Sequence, residues 1–205
     1  MVTIIKIGIT GGIASGKSLV LDELSKFQDG LTLDSDKIAR ETYEKGGPAY
    51  KYLVKIFGEK ILDEEGGIIR KKLAEKIYND SDLRKKVESI IHPLVVQEFQ
   101  KVAKEAEEKN LKYVGLEVPL VFQSEHVDHK IFDYIVLVDV EEEEQLKRVK
   151  QRSNIPKELA QRIIDIQGFT KGIKKKADYA INSNGLPSDT RRRARELFER
   201  LLKVS

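Results

Sequence analysis

Residues 4–18 read Ile-Ile-Lys-Ile-Gly-Ile-Thr-Gly-Gly-Ile-Ala-Ser-Gly-Lys-Ser, and this stretch decides the fold. A β-branched apolar run (Ile4, Ile5, Ile7, Ile9) feeds a glycine-rich turn, and the turn opens into a helix pattern marked by Val20, Leu24 and Phe27. The turn satisfies G-x-x-x-x-G-K-[ST] with Gly11, Gly16, Lys17 and Ser18, in the strand-then-helix setting that gives the motif its meaning. Glycines admit backbone shapes and close approaches that a Cβ would block. The exposed N–H groups of residues 11–18, including those of Gly12, Ile13, Ala14 and Ser15, form an anion cradle at a helix N-terminus. Lys17 places a cation near the β- and γ-phosphates, and the Ser18 hydroxyl can ligate Mg²⁺. The stretch therefore implies a nucleoside triphosphate site.

Downstream, residues 30–36 read as a second short strand ending in Asp34 and Asp36. Strand, loop, helix, strand begins a βαβ unit and predicts a parallel sheet with ligands at the C-terminal strand ends. Of these two acids, one reads as structural and the other as functional. Asp36 is the candidate general base for an acceptor hydroxyl, and Asp34 or Asp139 could hold water on Mg²⁺. Strand signals then vanish from Ile38 to Asn110, replaced by helical spacing. Leu83, Val87, Ile90 and Ile91 form one apolar stripe, Val95, Phe99, Val102 and Ala106 another, and His92-Pro93 is expected to separate them. A block of this length is long for a connection and reads as a substrate-binding insertion. Residues 112–119 and 134–140 read as buried parallel strands, and 177–182 as a last short one. An acid-led helix from Glu141 to Arg152 precedes a second helix after Pro156, and Pro187 opens a C-terminal helix.

The whole composition agrees with this reading. With 37 basic and 34 acidic side chains, the net charge of +3 gives no general nucleic-acid or membrane signal. No stretch reaches membrane-span length, and the first strand runs straight into the phosphate loop rather than forming a cleavable signal. The absence of cysteine excludes disulfides and thiolate metal sites and makes the cytoplasm the default location. Abundant Lys and Glu, with no Cys or Trp and a single Met, hint at heat adaptation.

The guanine-specifying N-K-x-D tetrapeptide of GTPases is missing. A compact core with a helical insertion suits a small-molecule kinase, whose lid excludes water from the phosphates. Arg148 and Arg152, four apart on one helix face, could close on the triphosphate, or could pair with Glu144 and Gln145 as surface groups. Arg40 and Arg70 could hold an anionic acceptor. His126 and His129 have a metal-like look but read as a solvated loop. The arginines of Arg191-Arg192-Arg193-Ala194-Arg195 read as a solvated helix surface, with nucleic-acid binding as the distant alternative.

Several segments together resemble the bacterial dephospho-CoA kinase family. They are residues 9–18, Asp34-Ser35-Asp36-Lys37-Ile38-Ala39-Arg40, Arg70 with Leu73 and Ile77, and His92-Pro93-Leu94. They continue with Val118-Pro119-Leu120-Val121-Phe122, Gln145-Leu146-Lys147-Arg148 with Arg152, Arg162 and Gln167, and Ala177-Asp178 with Asn184-Gly185. The resemblance implies an α/β P-loop kinase core with a five-stranded parallel sheet flanked by helices, a helical CoA-binding insertion and a small helical lid. The corresponding division is 1–37, 111–147 and 177–205 for the core, 38–110 for the insertion and 148–176 for the lid. It implies γ-phosphoryl transfer from ATP to the ribose 3′-hydroxyl of dephospho-CoA with Mg²⁺. Separately, the chain is expected to act as a monomer or weak oligomer, on neither nucleic acid nor membrane. A nucleoside or nucleotide kinase on the same core is the alternative, and a nucleotide-dependent nucleic-acid module a remoter one.

By position, Asp36 matches the base, Lys17 and Ser18 the phosphate and metal groups, and Arg148, Arg152 and Asn184 the ATP side. Arg40, Arg70 and His92 match the acceptor side. Leu19 follows where Thr is common, and its backbone N–H toward the α-phosphate survives. Ala14 replaces a usual Gly, which a negative φ would tolerate. Ser35 replaces a usual Ala, and Gln123 a usual Glu.

Overall fold

The computed structural model describes residues 3–78, 80–119, 121, 127–153, 160–161, 164–165 and 174–203. The chain forms two compact units, Met1–Asp34 with Val102–Ser205, and Ser35–Lys101.

In the first unit, strand β1 (Ile5–Thr10) leads through the phosphate loop to helix α1 (Lys17–Leu24) and on to β2 (Gly30–Asp34). Strands β3 (Tyr113–Glu117) and β4 (Tyr134–Asp139) follow later, then helix α6 (Glu142–Ser153), β5 (Tyr179–Asn182) and helix α7 (Pro187–Lys203). The five strands form one parallel sheet in the order β2-β3-β1-β4-β5. Because β1 has later strands on both sides, its C-terminal end is a point where the chain's path reverses, the place where such sheets bind ligands.

Alternation assigns the faces. Ile5, Ile7 and Ile9 of β1, Val136 and Val138 of β4 and Ile181 pack with Val20 and Leu24 of α1 and with Ala194, Leu197, Phe198 and Leu201 of α7. The Phe198 ring meets Phe27 edge-on, with centroids 6.4 Å apart. Tyr113 on the same face is fully buried, and its hydroxyl lies within hydrogen-bond reach of the Leu24 and Phe27 carbonyls at 2.7 and 2.8 Å. It adds a side-chain donor at the end of α1, where the Leu24 carbonyl also accepts from the Phe27 N–H at 3.1 Å. Burial, and then the nearby Asp29 charge, pushes this phenol up to about 12. Its ring needs the missing side chain of Gly30, where a Cβ would stand 2.2 Å from it.

The run at 191–195 does more than solvate. Arg191 and Arg195 converge on Glu23, which is 1% exposed. One carboxylate oxygen accepts from Arg195 Nε and Nη2 at 2.8 and 2.6 Å, and the other from Lys26 Nζ at 2.6 Å. Arg191 also pairs with Asp22, and Arg193 donates to the Asn182 carbonyl at 2.8 Å. The expected solvated surface is thus, for these three arginines, a set of clasps holding α7 to α1 and β5. Burial raises the Glu23 carboxyl, and the hydrogen bonds and charges of Lys26 and Arg195 outweigh it, leaving the group below its ordinary value.

The second unit begins with helix α2 (Ser35–Tyr43), continues with α3 (Tyr50–Phe57), a 3₁₀ turn (Glu59–Ile61) and α4 (Arg70–Tyr78), and holds most of α5 (Ser81–Glu108). Strand β2 stops at Asp34, so Asp36 lies in the first helical turn of α2, not on a strand, where an acid suits the dipole. Helix α5 runs unbroken through Pro93, contrary to the expected separation at His92-Pro93. A proline inside a helix costs about 3 kcal/mol. Here Val87, Ile91, Val95, Phe99, Ala103 and Ala106 keep one continuous buried stripe across it. Each large apolar side chain buried is worth roughly 1.5–3 kcal/mol, so the stripe outweighs the break.

Of the expected helix after Pro156, residues 160–161 and 164–165 are described and are helical; the rest of it, most of residues 148–176, His126 and Gln123 lie outside the described residues. His129 opens an exposed 3₁₀ turn (His129–Ile131), capped by the Asp128 side chain. Among the described residues no helix is long and apolar enough to cross a membrane, and no group of three metal-ligating side chains occurs.

Candidate nucleotide site

The loop from Gly11 to Gly16 is shaped by residues that few side chains could replace. Gly11 has φ +156°, and a Cβ there would lie 2.6 Å from both Ser15 Oγ and the Val138 carbonyl. Gly16, at φ +98°, is the residue before α1. Ala14 also has positive φ, +55°, so the negative value that would tolerate alanine is not the one observed. Left-handed backbone costs an L-residue roughly 1–2 kcal/mol, and the surrounding contacts must hold it.

Those contacts come from distant parts of the unit. Lys17 Nζ donates to the Gly12 carbonyl at 3.0 Å, which keeps the ammonium, 9% exposed, inside the loop. Gln145 of α6 donates through Nε2 to the Ile13 carbonyl at 2.8 Å. The Ser183 hydroxyl donates to the Ser15 carbonyl at 2.6 Å. Ser183 follows β5 directly, and its N–H donates to the Asp139 carbonyl at 2.8 Å, adding a rung to the sheet. Neither Gln145 nor Ser183 is marked by a local motif; Gln145 stands beside Arg148 in the resemblance, while Ser183 is unmarked.

A cavity of about 410 Å³ opens beside the loop, lined by Ala14, Gly16, Leu19, Arg148, Ser183 and Gly185 among others. Its size falls in the range of small-ligand pockets. Arg148 is held at its edge by two partners. Its Nε donates to Glu144 at 3.1 Å and its Nη2 to the Ser183 carbonyl at 2.6 Å, so the pairing with Glu144 and a place at the cavity hold together. Arg152 is one turn further along α6, its side chain outside the described residues. Asn184 accepts from the Glu141 N–H through Oδ1 at 2.9 Å and so fixes the turn that carries Ser183 and Gly185.

Three oxygen-bearing side chains, Ser18, Glu117 and Asp34, stand at the start of α1 and at the ends of β3 and β2. The Ser18 hydroxyl is exposed at the start of α1 and donates to Glu117 Oε1 at 3.4 Å. Glu117 ends β3 and is in register with Ile9 on one side and Asp34 on the other, so all three project to the α1 face. Asp139 is three residues beyond Val136, which is in register with Ile9, and projects to the opposite face. It is engaged there by Lys174 Nζ at 2.6 Å. Hydroxyl and carboxylate oxygens without sulfur or imidazole suit Mg²⁺. Glu117 was not singled out by sequence; its place at a strand end beside the loop strand was the available signal.

The other expected residues belong to the second unit. Asp36 and Arg40 are four apart on α2, Arg70 opens α4 and is exposed, and His92 is half-buried in the middle of α5.

A family model described as dephospho-CoA kinase matches residues 5–188. A dephospho-CoA kinase of Shouchella clausii is 36% identical over 200 residues, 98% of each chain. Among solved structures, TT1252 from Thermus thermophilus superposes with a TM-score of 0.77 at 27% identity, over 98% of both chains. A dephospho-CoA kinase from Campylobacter jejuni shares the fold, with a TM-score of 0.64 at 24% identity over 97% of both chains.

Proposed function

The chain belongs to the dephospho-CoA kinase family, and from that premise we infer how its residues divide the phosphorylation of dephospho-CoA by ATP. The enzyme is a kinase that completes coenzyme A synthesis. A bond forms between the acceptor's ribose 3′-oxygen and the γ-phosphorus, the β–γ bridging bond breaks, and ADP leaves. The hydroxyl proton goes to Asp36.

The loop N–H groups and Lys17 hold the triphosphate, with Leu19 adding its N–H toward the α-phosphate. The Ser18 hydroxyl, with Asp34 and Glu117 acting through water, would hold Mg²⁺, which would supply charge neutralisation for the phosphates. The sheet face that Asp34 and Glu117 share, on the side of α1 and Ser18, supports that assignment and leaves Asp139 out of it. Arg148 exchanges its Glu144 and Ser183 partners for the phosphates, with Arg152 beside it. Arg40, Arg70 and His92 take the anionic and polar groups of the acceptor. Residues 35–101 serve as the acceptor-binding part and 148–176 as the lid. The protein works as a monomer or weak oligomer in the cytoplasm.

The observation that carries this reading is a family match that runs from the loop strand past Asn184. The test supplies equal protein with ATP, Mg²⁺ and either dephospho-CoA or a panel of nucleosides and nucleotides. ADP formation with dephospho-CoA is expected, and turnover confined to the nucleotides would overturn the assignment.

A further inference from the structure

A phosphate loop works only if its N–H groups face the anion, and a carbonyl turned inward would repel it. Peptide planarity makes this a question about carbonyls: in a trans unit the C=O of one residue and the N–H of the next point in opposite directions. Whatever holds the Ile13 carbonyl outward therefore aims the Ala14 N–H inward. The same holds for the Ser15 carbonyl and the Gly16 N–H. In this chain those two carbonyls are held by side chains from other elements, Gln145 Nε2 at 2.8 Å and Ser183 Oγ at 2.6 Å. Between them stands Ala14 at φ +55°, a conformation that alanine leaves readily unless its neighbouring peptides are fixed.

We infer that Gln145 and Ser183 are positioning residues for ATP, orienting two peptide planes of the phosphate loop. Both are suited to that task. Gln145 is 7% and Ser183 1% exposed, so neither hydrogen bond competes freely with water. Ser183 is fixed in turn by its own N–H to Asp139 and by Arg148 Nη2 on its carbonyl at 2.6 Å. The same residue thus steadies the loop and parks the arginine assigned to the phosphates, which couples loop geometry to the position of Arg148. The inference rests on ATP binding at this loop and extends that reading to residues that need not touch ATP.

The test compares Gln145→Met, Gln145→Glu, Ser183→Ala and Ser183→Thr in the intact protein, by calorimetric binding of ATP with Mg²⁺ and by steady-state kinetics. Loss of one buried neutral hydrogen bond corresponds to about a fivefold change. Gln145→Met and Ser183→Ala are expected to weaken ATP binding about 5–10-fold while KM for dephospho-CoA stays within about twofold. Gln145→Glu, which turns a carboxylate toward a carbonyl oxygen, should weaken ATP binding more than Gln145→Met. Ser183→Thr, which keeps the hydroxyl, should restore binding to within about twofold. Unchanged ATP affinity in Gln145→Met and Ser183→Ala overturns the inference. So does an equal loss for both substrates with a lowered melting temperature, which marks a merely structural role. Failure of the wild-type protein to phosphorylate dephospho-CoA while these ATP effects persist would instead strike the acceptor assignment alone.

Discussion

Replacing Glu23 by glutamine removes one buried charge from the joint between α1 and α7 and leaves the shape of the side chain intact. The carboxylate accepts from Arg195 at 2.6 and 2.8 Å, from Lys26 at 2.6 Å and from Arg191 at 3.4 Å. A fully buried pair that loses one partner costs about 3–5 kcal/mol. Here the surviving partners are the cations, and the side chains of Arg195 and Lys26 are 58% and 48% exposed, so they turn to water instead of standing unpaired. Solvent also screens each pair toward the 0.2–1 kcal/mol of surface bridges. Three screened pairs, less what the amide oxygen retains, give a loss of about 1–2 kcal/mol, or roughly 2–8 °C in Tm for a chain of this size. The pH dependence fixes the mechanism. Because the folded carboxyl lies below its ordinary 4.5, its contribution is complete above that pH and fades as pH falls through the lower folded value. Thermal unfolding of both proteins followed by circular dichroism should show a steady gap at pH 6–8 that closes in acid. A gap of equal size at pH 3, or none at pH 7, would refute the charge clasp.

Other residues make further claims. Asp36→Asn should leave ATP affinity intact and lower turnover by about 10²–10⁴, the usual worth of general acid–base catalysis, and undiminished turnover removes it as the base. Arg148→Ala should lower kcat more than it raises KM for dephospho-CoA, and a loss confined to acceptor affinity would move the residue to the other pocket. Glu117→Gln should raise the Mg²⁺ concentration needed for half-maximal rate, whereas Asp139→Asn should not; a reversed pattern overturns the face assignment. Gly30→Ala drives a Cβ into the Tyr113 ring and should destabilise by about 1–3 kcal/mol, as overpacking does, and a wild-type denaturation midpoint would contradict the close packing.

The phosphate loop was legible because anion binding demands fixed residue types at fixed spacing within one short segment. The strands were legible for a similar reason, since a doubly covered parallel strand must be apolar almost throughout, as Ile135 to Val138 are. What escaped was set by partners far along the chain. Gln145 reaches Ile13 across 132 positions and Ser183 reaches Ser15 across 168, and no local pattern announces either. Pro93 misled because local propensity spoke for a break while a buried stripe, visible only when both halves are read in phase, spoke against it. The arginines at 191–195 misled because charge alone does not say whether a buried acid waits opposite. Ala14 shows the same limit at one residue: its identity gives no sign of φ, which its anchored neighbours set.

The order of strands has a consequence for how the molecule comes into being. Strand β1 is made before its neighbours, which begin at Tyr113 and Tyr134, so both of its edges stay bare until those distant segments have been synthesised. Pairings so distant in sequence form slowly, and an apolar strand with open edges invites other chains in the meantime. The phosphate loop, held by Gln145 and Ser183, therefore takes its full shape only after those later residues are in place. Mutations in β3 or β4 that delay pairing should show as insoluble protein during synthesis before they show as any change in the finished enzyme.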